Sequence, residues 1–372
     1  MLIGVPKEIK NHEYRVGLTP ASVREFVNNG HQVVVQSGAG EAIGFDDIQY
    51  EANGAVMVRD ANDIFDRADM IIKVKEPQPE ECRMLSAGQI LYTYLHLAPD
   101  PKQTRLLVDS GATCVAYETV TAPDGTLPLL APMSEVAGRM SAQAGAHHLE
   151  KAAGGRGVLL GGVPGVAPAK VLVIGGGVVG DNAANMAVGM GADVTILDRS
   201  IPRLRQLDNE YAGRANMVYS TASAIEEYAL EADLVIGAVL IPGATAPKLL
   251  TADIIKRMKR GSVVVDVAID QGGCFETSRP TTHAEPTYVV DGVVHYCVAN
   301  MPGAVARTST MALNNATLPY GVMIANLGVE EAMRRDPHLR NGLNVHAGRV
   351  TYQAVAEVLG YDYAEPLVSL AA

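Results

Sequence analysis

Short apolar runs alternate with amphipathic stretches along almost the whole chain. Residues 2–5, 31–36, 68–75, 89–95 and 113–117 are runs of four to eight residues rich in Val, Ile, Leu and Tyr, the pattern of strands buried on both faces. Between them lie helix signals. Thr19-Pro20 places an N-cap before a first-turn proline, 60–66 has helical spacing, and Asp100-Pro101 opens a helix to about Ser110. Residues 128–132 read as a Pro/Leu loop. A long Ala-rich helix is predicted over 134–153, with Ser134 as its N-cap and Gly154-Gly155 as its stop. The alternation then resumes with strands at 171–174, 193–197, 217–219, 233–239 and 262–267 and helices at 183–190 and 251–258. A helix over 308–327 interrupted at Pro319 follows, and residues 345–359 finish as helix.

Strands alternating with helices at this spacing predict an α/β chain with two Rossmann-like, doubly wound parallel sheets. The expected division is 1–133 plus 305–372 as one discontinuous domain and 134–304 as a domain inserted in it, with ligands bound in the cleft between them. The first is expected to hold a substrate and the second a dinucleotide.

Composition narrows the partners. The 372 residues are 48% hydrophobic and 19% charged, which fits well-formed cores rather than disorder. A formal net charge of -11 argues against nucleic acid or an anionic membrane surface as a ligand. Cys82, Cys114, Cys274 and Cys297 form no Cys-x-x-Cys pair, which suits reduced thiols in a cytoplasmic protein. The amino terminus has no basic-then-apolar signal pattern, and no apolar run is long enough to span a bilayer. His147-His148 read as packed or solvated side chains, and no Cys/His cluster has metal-ligand spacing, so no metal is expected.

The most specific chemistry lies at 169–199. The strand 171–174 runs into Gly175, Gly177 and Gly180 at Gly-x-Gly-x-x-Gly spacing. A helix follows, then a second strand that ends in Asp198. Gly175 permits the tight turn, Gly177 lets backbone approach a pyrophosphate, and Gly180 lets helix and strand close on each other. The helix N-terminus offers N–H groups to the phosphates, and Asp198 suits the adenosine ribose hydroxyls. A carboxylate there repels a 2′-phosphate, so NAD is favoured over NADP, although the neighbouring Arg199 could accommodate one.

Ionisable residues at the predicted strand mouths are the other candidates. Lys75 closes one run, His96 closes the next, Asp270 follows 263–269, and Arg15 lies in the charged loop after the first strand. Each alone has an ordinary explanation: a solvated lysine, a structural histidine, a turn aspartate, an arginine in a surface pair with Glu8 or Glu13. Together they compose a reaction centre, with cations for a substrate carboxylate, an imidazole for proton transfer near neutral pH, and an acid facing the cofactor to stabilise developing positive charge.

The segment from Gly4 to Pro20, with Val74-Lys-Glu-Pro, Tyr94-Leu-His-Leu-Ala, Met133-Ser-Glu-Val-Ala-Gly-Arg, Leu160-Gly-Gly-Val-Pro-Gly-Val, Val263-Val-Val-Asp-Val-Ala-Ile-Asp-Gln-Gly-Gly and Asn300-Met-Pro-Gly-Ala-Val-Ala-Arg, resembles the NAD-dependent L-alanine dehydrogenases over nearly the whole chain. The resemblance implies reversible oxidative deamination of L-alanine to pyruvate and ammonium by a cytoplasmic homohexamer. It implies Arg15, Lys75 and Asn300 as substrate contacts and His96 and Asp270 as catalytic groups. It adds cofactor contacts at Ser134, Val178, Val179, Asp198, Arg203, Ser220, Val239, Leu240, Val267, Ala268, Ile269, Arg279, Val298, Ala299 and Met301. Without a ligand, Val178, Val239 and Val267 would be ordinary core and Ser134 a helix cap. The main rival is the NAD-binding subunit of a proton-translocating transhydrogenase, which shares the Pro-Lys-Glu, Arg-Val and Thr-Pro opening. An amino-acid dehydrogenase with a larger pocket, of the saccharopine-forming kind, and an NAD-sensing protein without turnover are further alternatives.

Overall fold

The computed structural model describes residues 1–239 and 246–370. The chain forms two compact units, Met1–Pro132 with Val305–Ala372, and Met133–Ala304.

The first unit carries β1 (Leu2–Val5), β2 (Gln32–Gln36), β3 (Ala55–Val58), β4 (Met70–Ile72), β5 (Ile90–Thr93) and β6 (Thr113–Ala116). The second carries β7 (Lys170–Ile174), β8 (Asp193–Asp198), β9 (Asn216–Tyr219), β10 (Leu234–Gly237), β11 (Val263–Asp266), β12 (Thr287–Val290) and β13 (Val293–Tyr296). The returning chain adds β14 (Leu343–His346) and β15 (Arg349–Val350) to the first sheet. The orders are β15-β14-β6-β5-β4-β1-β2-β3 and β12-β13-β11-β10-β7-β8-β9.

Strands β1 to β6 pair in parallel, as do all pairs of the second sheet except β12 with β13. Both sheets reverse direction of growth beside their first strand, between β1 and β4 and between β7 and β10. Ligands of such sheets bind beyond the carboxyl ends at that point.

Several helices start where capping chemistry predicts. Thr19 accepts from the Ser22 N–H ahead of Pro20–Asn28, and Asp100 accepts from Gln103 ahead of Pro101–Ser110. Elsewhere the structure corrects the sequence reading. Residues 345–350 are not helical. They form the hairpin β14–β15, antiparallel to β6, and helix begins only at Gln353. Its turn takes Ala347 and Gly348 at φ 47° and 77°, and the β12–β13 turn takes Asp291 and Gly292 at φ 51° and 86°, the two-residue geometry that Asp-Gly favours. These hairpins give both parallel sheets an antiparallel edge.

The long helix runs Ala131–His148, so Ser134 lies inside it rather than capping it, and residues 151–153 form a separate 3-10 turn. The helix Ala306–Leu327 continues through Pro319. Proline costs a helix one backbone hydrogen bond. Burial of Leu313, Thr317, Gly321 and Ile324 along the same helix keeps it continuous through that loss. Its Asn314 accepts the Thr19 N–H at 2.8 Å and donates to the Gly17 carbonyl at 3.1 Å, which fixes the loop after β1.

Candidate active site

In the first unit, neighbouring strands deliver the candidates to one rim. Arg15 lies in the loop after β1, Lys75 three residues beyond β4, and His96 three beyond β5. Adjacent strands are spaced about 4.8 Å, so β1, β4 and β5 span roughly 10 Å. The loop holding Arg15 is drawn tightly onto the sheet, since a Cβ on Gly17 would meet the Ile72 carbonyl oxygen at 2.3 Å.

The ion pair that offered Arg15 an ordinary explanation exists, with Glu13, but it is buried rather than superficial. Arg15 is 2% exposed, and its Nε donates to Glu13 Oε1 at 2.7 Å and its Nη2 to Oε2 at 2.5 Å. Burial works against the guanidinium charge. The bidentate carboxylate outweighs it and holds the group above its ordinary pKa. Tyr94 and Glu8 also act on Arg15 electrostatically.

Lys73, which the strand pattern hides among apolar neighbours, is fully buried. Its Nζ donates to Glu8 Oε2 at 3.0 Å and Glu81 Oε1 at 2.7 Å. Desolvation opposes its charge, but two carboxylates on one ammonium raise it above the ordinary lysine range. The other Glu8 oxygen accepts the N–H groups of Val74 at 2.7 Å and Lys75 at 3.2 Å, so the triad sets the backbone that carries Lys75. The Lys75 ammonium itself stands 3.8 Å from Glu76.

His96 is the exposed member, with its side chain 43% accessible. Its backbone has φ 51°, a left-handed conformation that costs a non-glycine residue energy and persists only when neighbours hold it. Glu118 is the holder. Oε1 accepts the N–H groups of His96 at 2.6 Å and Leu95 at 3.1 Å, and lies 3.8 Å from His96 Nδ1. The ring stacks on Tyr94, with centroids 5.8 Å apart and planes 6° from parallel. Tyr94 is fixed in turn by its hydroxyl, which donates to the Leu129 carbonyl at 2.6 Å.

Sequence pattern alone does not single out Lys73, Glu81, Tyr94 or Glu118, and it offers Glu8 and Glu13 only as surface partners of Arg15. Glu118 was legible by the rule that found His96, because it follows β6 as His96 follows β5. Lys73 was not, because its burial depends on Glu8 and Glu81 arriving from elsewhere in the chain.

In the second unit, Gly175 has φ 101° and closes the turn after β7. A Cβ there would meet the Ala238 carbonyl at 2.8 Å, and one on Gly180 would sit 1.7 Å from the Gly175 oxygen. Gly177, the N-cap of the helix Val178–Gly189, would place a Cβ with nothing within 4 Å. The first and third glycines are thus required by the protein's own packing. The second leaves open space at a helix N-terminus, a cradle that fits a pyrophosphate.

Asp198 ends β8, accepts the Gly176 N–H at 2.7 Å and the Ser200 N–H at 2.7 Å, and keeps further acceptor capacity on both oxygens. Arg203 binds the loop together, its Nε donating to the Gly176 carbonyl and its Nη2 to Asp181, both at 2.7 Å. Val178 is 45% exposed, so ordinary core packing does not account for it, whereas Val239 packs on the core. Val267 and Ser134 are half-buried, and Val179, Ser220, Ala268, Ile269, Val298 and Met301 are buried.

Asp270 is exposed in the 3-10 turn Ile269–Gln271 after β11, and Arg279 lies over the Tyr288 ring at 4.1 Å. Asn300 holds φ 64°, and its carbonyl lies 3.0 Å from His283 Nε2. Ala299 beside it is half-buried. Leu240 lies outside the described residues. Among the described residues no group of His, Cys, Asp or Glu is arranged to hold a metal, and the four cysteines are free and buried. No helix among them is long and apolar enough to cross a membrane.

Comparison with known proteins gives two family matches, "Alanine dehydrogenase/PNT, N-terminal domain" over residues 4–137 and "Alanine dehydrogenase/PNT, C-terminal domain" over 141–353. The chain is 67% identical over 365 residues to an alanine dehydrogenase of Halomonas elongata, covering 98% of each. It is 53% identical over 371 residues to an alanine dehydrogenase of Mycolicibacterium smegmatis, covering 100% of each. A solved L-alanine dehydrogenase superposes with a TM-score of 0.94 at 54% identity, covering 97% of this chain and 99% of the other. A transhydrogenase from Sinorhizobium meliloti superposes with a TM-score of 0.81 at 25% identity, covering 95% and 100%.

Proposed function

The chain belongs to the alanine dehydrogenase/PNT family, and on that premise we infer that it is an oxidoreductase that interconverts L-alanine with pyruvate and ammonium, using NAD. The transhydrogenase reading gives way, because whole-chain identity is 53% and 67% to two alanine dehydrogenases and 25% to the transhydrogenase. The observation that carries the chemistry is the convergence of Arg15, Lys75 and His96 on the carboxyl ends of β1, β4 and β5, which are neighbours in one sheet.

The reaction needs a site that anchors a small zwitterion and moves protons beside it. Arg15, aligned by Glu13, and Lys75, whose backbone Glu8 holds, supply fixed positive charge for the substrate carboxylate and carbonyl oxygen. His96 takes the proton released when the amine becomes an imine, then serves the attacking water and the carbinolamine in turn. Its exposure and its support from Tyr94 and Glu118 suit a group that must exchange protons while staying oriented. When bound, NAD⁺ accepts the hydride from the alanine Cα. Gly175, Gly177 and Gly180 are read as its pyrophosphate cradle and Asp198 as its ribose acceptor. Ser134, Val178, Val179, Arg203, Ser220, Val239, Leu240, Val267, Ala268, Ile269, Arg279, Val298, Ala299 and Met301 complete the proposed contacts. Asp270 and Asn300 are the cofactor unit's proposed contributions to the reaction. A carboxylate in the ribose position favours NAD over NADP. A cytoplasmic homohexamer agrees with the family likeness, and light scattering checks the hexamer.

The test is absorbance at the NADH band with L-alanine and NAD⁺, then with pyruvate, ammonium and NADH, with D-alanine and NADP⁺ as controls. Turnover is expected in both directions, and His96→Ala should lower kcat by about 10²–10⁴-fold, the range for loss of a general base. NADH binding without turnover of any small amino acid would sink the reading.

A further inference from the structure

The second unit contains a recess that the proposed reaction does not use. It has a volume of about 440 Å³ and is lined by Lys151, Arg156, Arg260 and the glycine backbone at 154, 155, 261 and 292. It sits at the amino ends of β11 and β13, since Arg260-Gly261 lead into β11 and Gly292 leads into β13. The glycine cradle lies at the opposite, carboxyl ends of this sheet.

Every charged side chain lining the recess is cationic, and no apolar side chain lines it. That is unexpected in a chain of net charge -11. Arg156 Nη1 binds Asp233 at 2.7 Å, and Asp233 also takes Lys259 at 3.3 Å. Counting the lining Lys151, Arg156 and Arg260 against Asp233, three positive charges meet one negative, an excess of two. The Lys151 ammonium and the Arg260 guanidinium make no hydrogen bond or ion pair with any described residue.

The recess is also held in shape. The β12–β13 turn brings Gly292 under Arg260, where a Cβ would lie 3.2 Å from the guanidinium carbon. A Cβ on Gly261 would meet the Arg156 backbone at 2.8 Å. The Arg156 N–H donates to Gly261 O at 2.8 Å, and the Gly261 N–H donates to Gly292 O at 2.7 Å. Both arginines are therefore anchored across glycine backbone, and the Arg260 guanidinium is exposed to solvent. Guanidinium and ammonium groups lining one recess match the charge of phosphate oxygens, and the guanidinium fork matches their geometry.

We propose that this recess is a binding site for a small phosphate-bearing anion, separate from the dinucleotide cradle. Its volume accommodates a di- or triphosphate as well as a single phosphate. Sodium pyrophosphate, inorganic phosphate and ATP, each titrated calorimetrically into the full-length protein in low chloride, distinguish these sources. At least one is expected to bind at one site per chain, with affinity unchanged by saturating NADH. Arg260→Ala and Lys151→Gln are each expected to weaken it about tenfold or more, while NADH affinity stays at the wild-type value. Lys151 is exposed, so its variant remains informative if the arginine variant folds poorly. Absence of saturable binding by all three anions, binding that NADH displaces, or affinity unaltered in a folded variant would each overturn the proposal.

Discussion

The carboxyl rims of the two sheets solve the same problem with opposite materials. The first is built from charged side chains that are already paired inside the protein, Arg15 with Glu13 and Lys73 with Glu8 and Glu81, all of them buried. The second is built from backbone: three glycines, a helix N-terminus and one carboxylate that ties the loop to β8. A small zwitterionic substrate has few atoms to hold, so fixed full charges must surround it. A dinucleotide offers a pyrophosphate that N–H groups can bind once side chains are out of the way. On the proposed function the same doubly wound scaffold serves both, since ligands of such sheets bind beyond the carboxyl ends where the strand order reverses.

This contrast predicts different failures. The largest effect belongs to the first rim. Lys73→Met leaves Glu8 and Glu81 buried without their cation, and removal of one partner from a buried ion pair costs about 3–5 kcal/mol. Urea unfolding should register that loss, with KM for L-alanine raised because the Lys75 backbone is released. Gly180→Ala comes next. Its methyl would overlap the Gly175 carbonyl, an overpacking that costs about 1–3 kcal/mol, and NADH affinity should fall with it. The chain has no tryptophan, so NADH emission reports this binding without protein background from that source.

Gly177→Ala separates the two glycine roles. Its methyl meets no protein atom, and the Gly177 backbone, at φ -70°, is open to alanine, so stability should hold or rise by about 0.4–1 kcal/mol. NADH affinity should nevertheless fall about tenfold, since the methyl fills the phosphate approach; unchanged affinity would mean that the cradle is not used.

The smallest effect is a pH dependence of the second unit. Burial holds the His295 imidazole below its ordinary pKa, while Nε2 pairs with the Thr277 hydroxyl at 2.7 Å. On acidification the unfolded chain takes up this proton first. Stability is therefore full above the unfolded value near 6.5 and declines as pH falls from there through the folded value. Thermal unfolding of His295→Gln across that window should show a shallower decline than the parent.

Much of this was written locally. The glycine spacing, the acid ending β8 and the caps at Thr19 and Asp100 each depend on residues a few positions apart. Period and capping chemistry therefore fixed the strands that carry the rims, and Arg15, Lys75 and His96 were visible as charges just beyond apolar runs. What sequence could not determine was the company these residues keep. Lys73 reads as one more strand-end lysine until Glu8, 65 positions away, and Glu81 close on it. Glu118 reads as a loop acid until β6 lies beside β5 and its carboxylate captures the His96 N–H. Pro319 reads as a break until burial of its helix outweighs the missing hydrogen bond. Burial and ion pairing depend on which distant segments meet, and only the tertiary structure sets that.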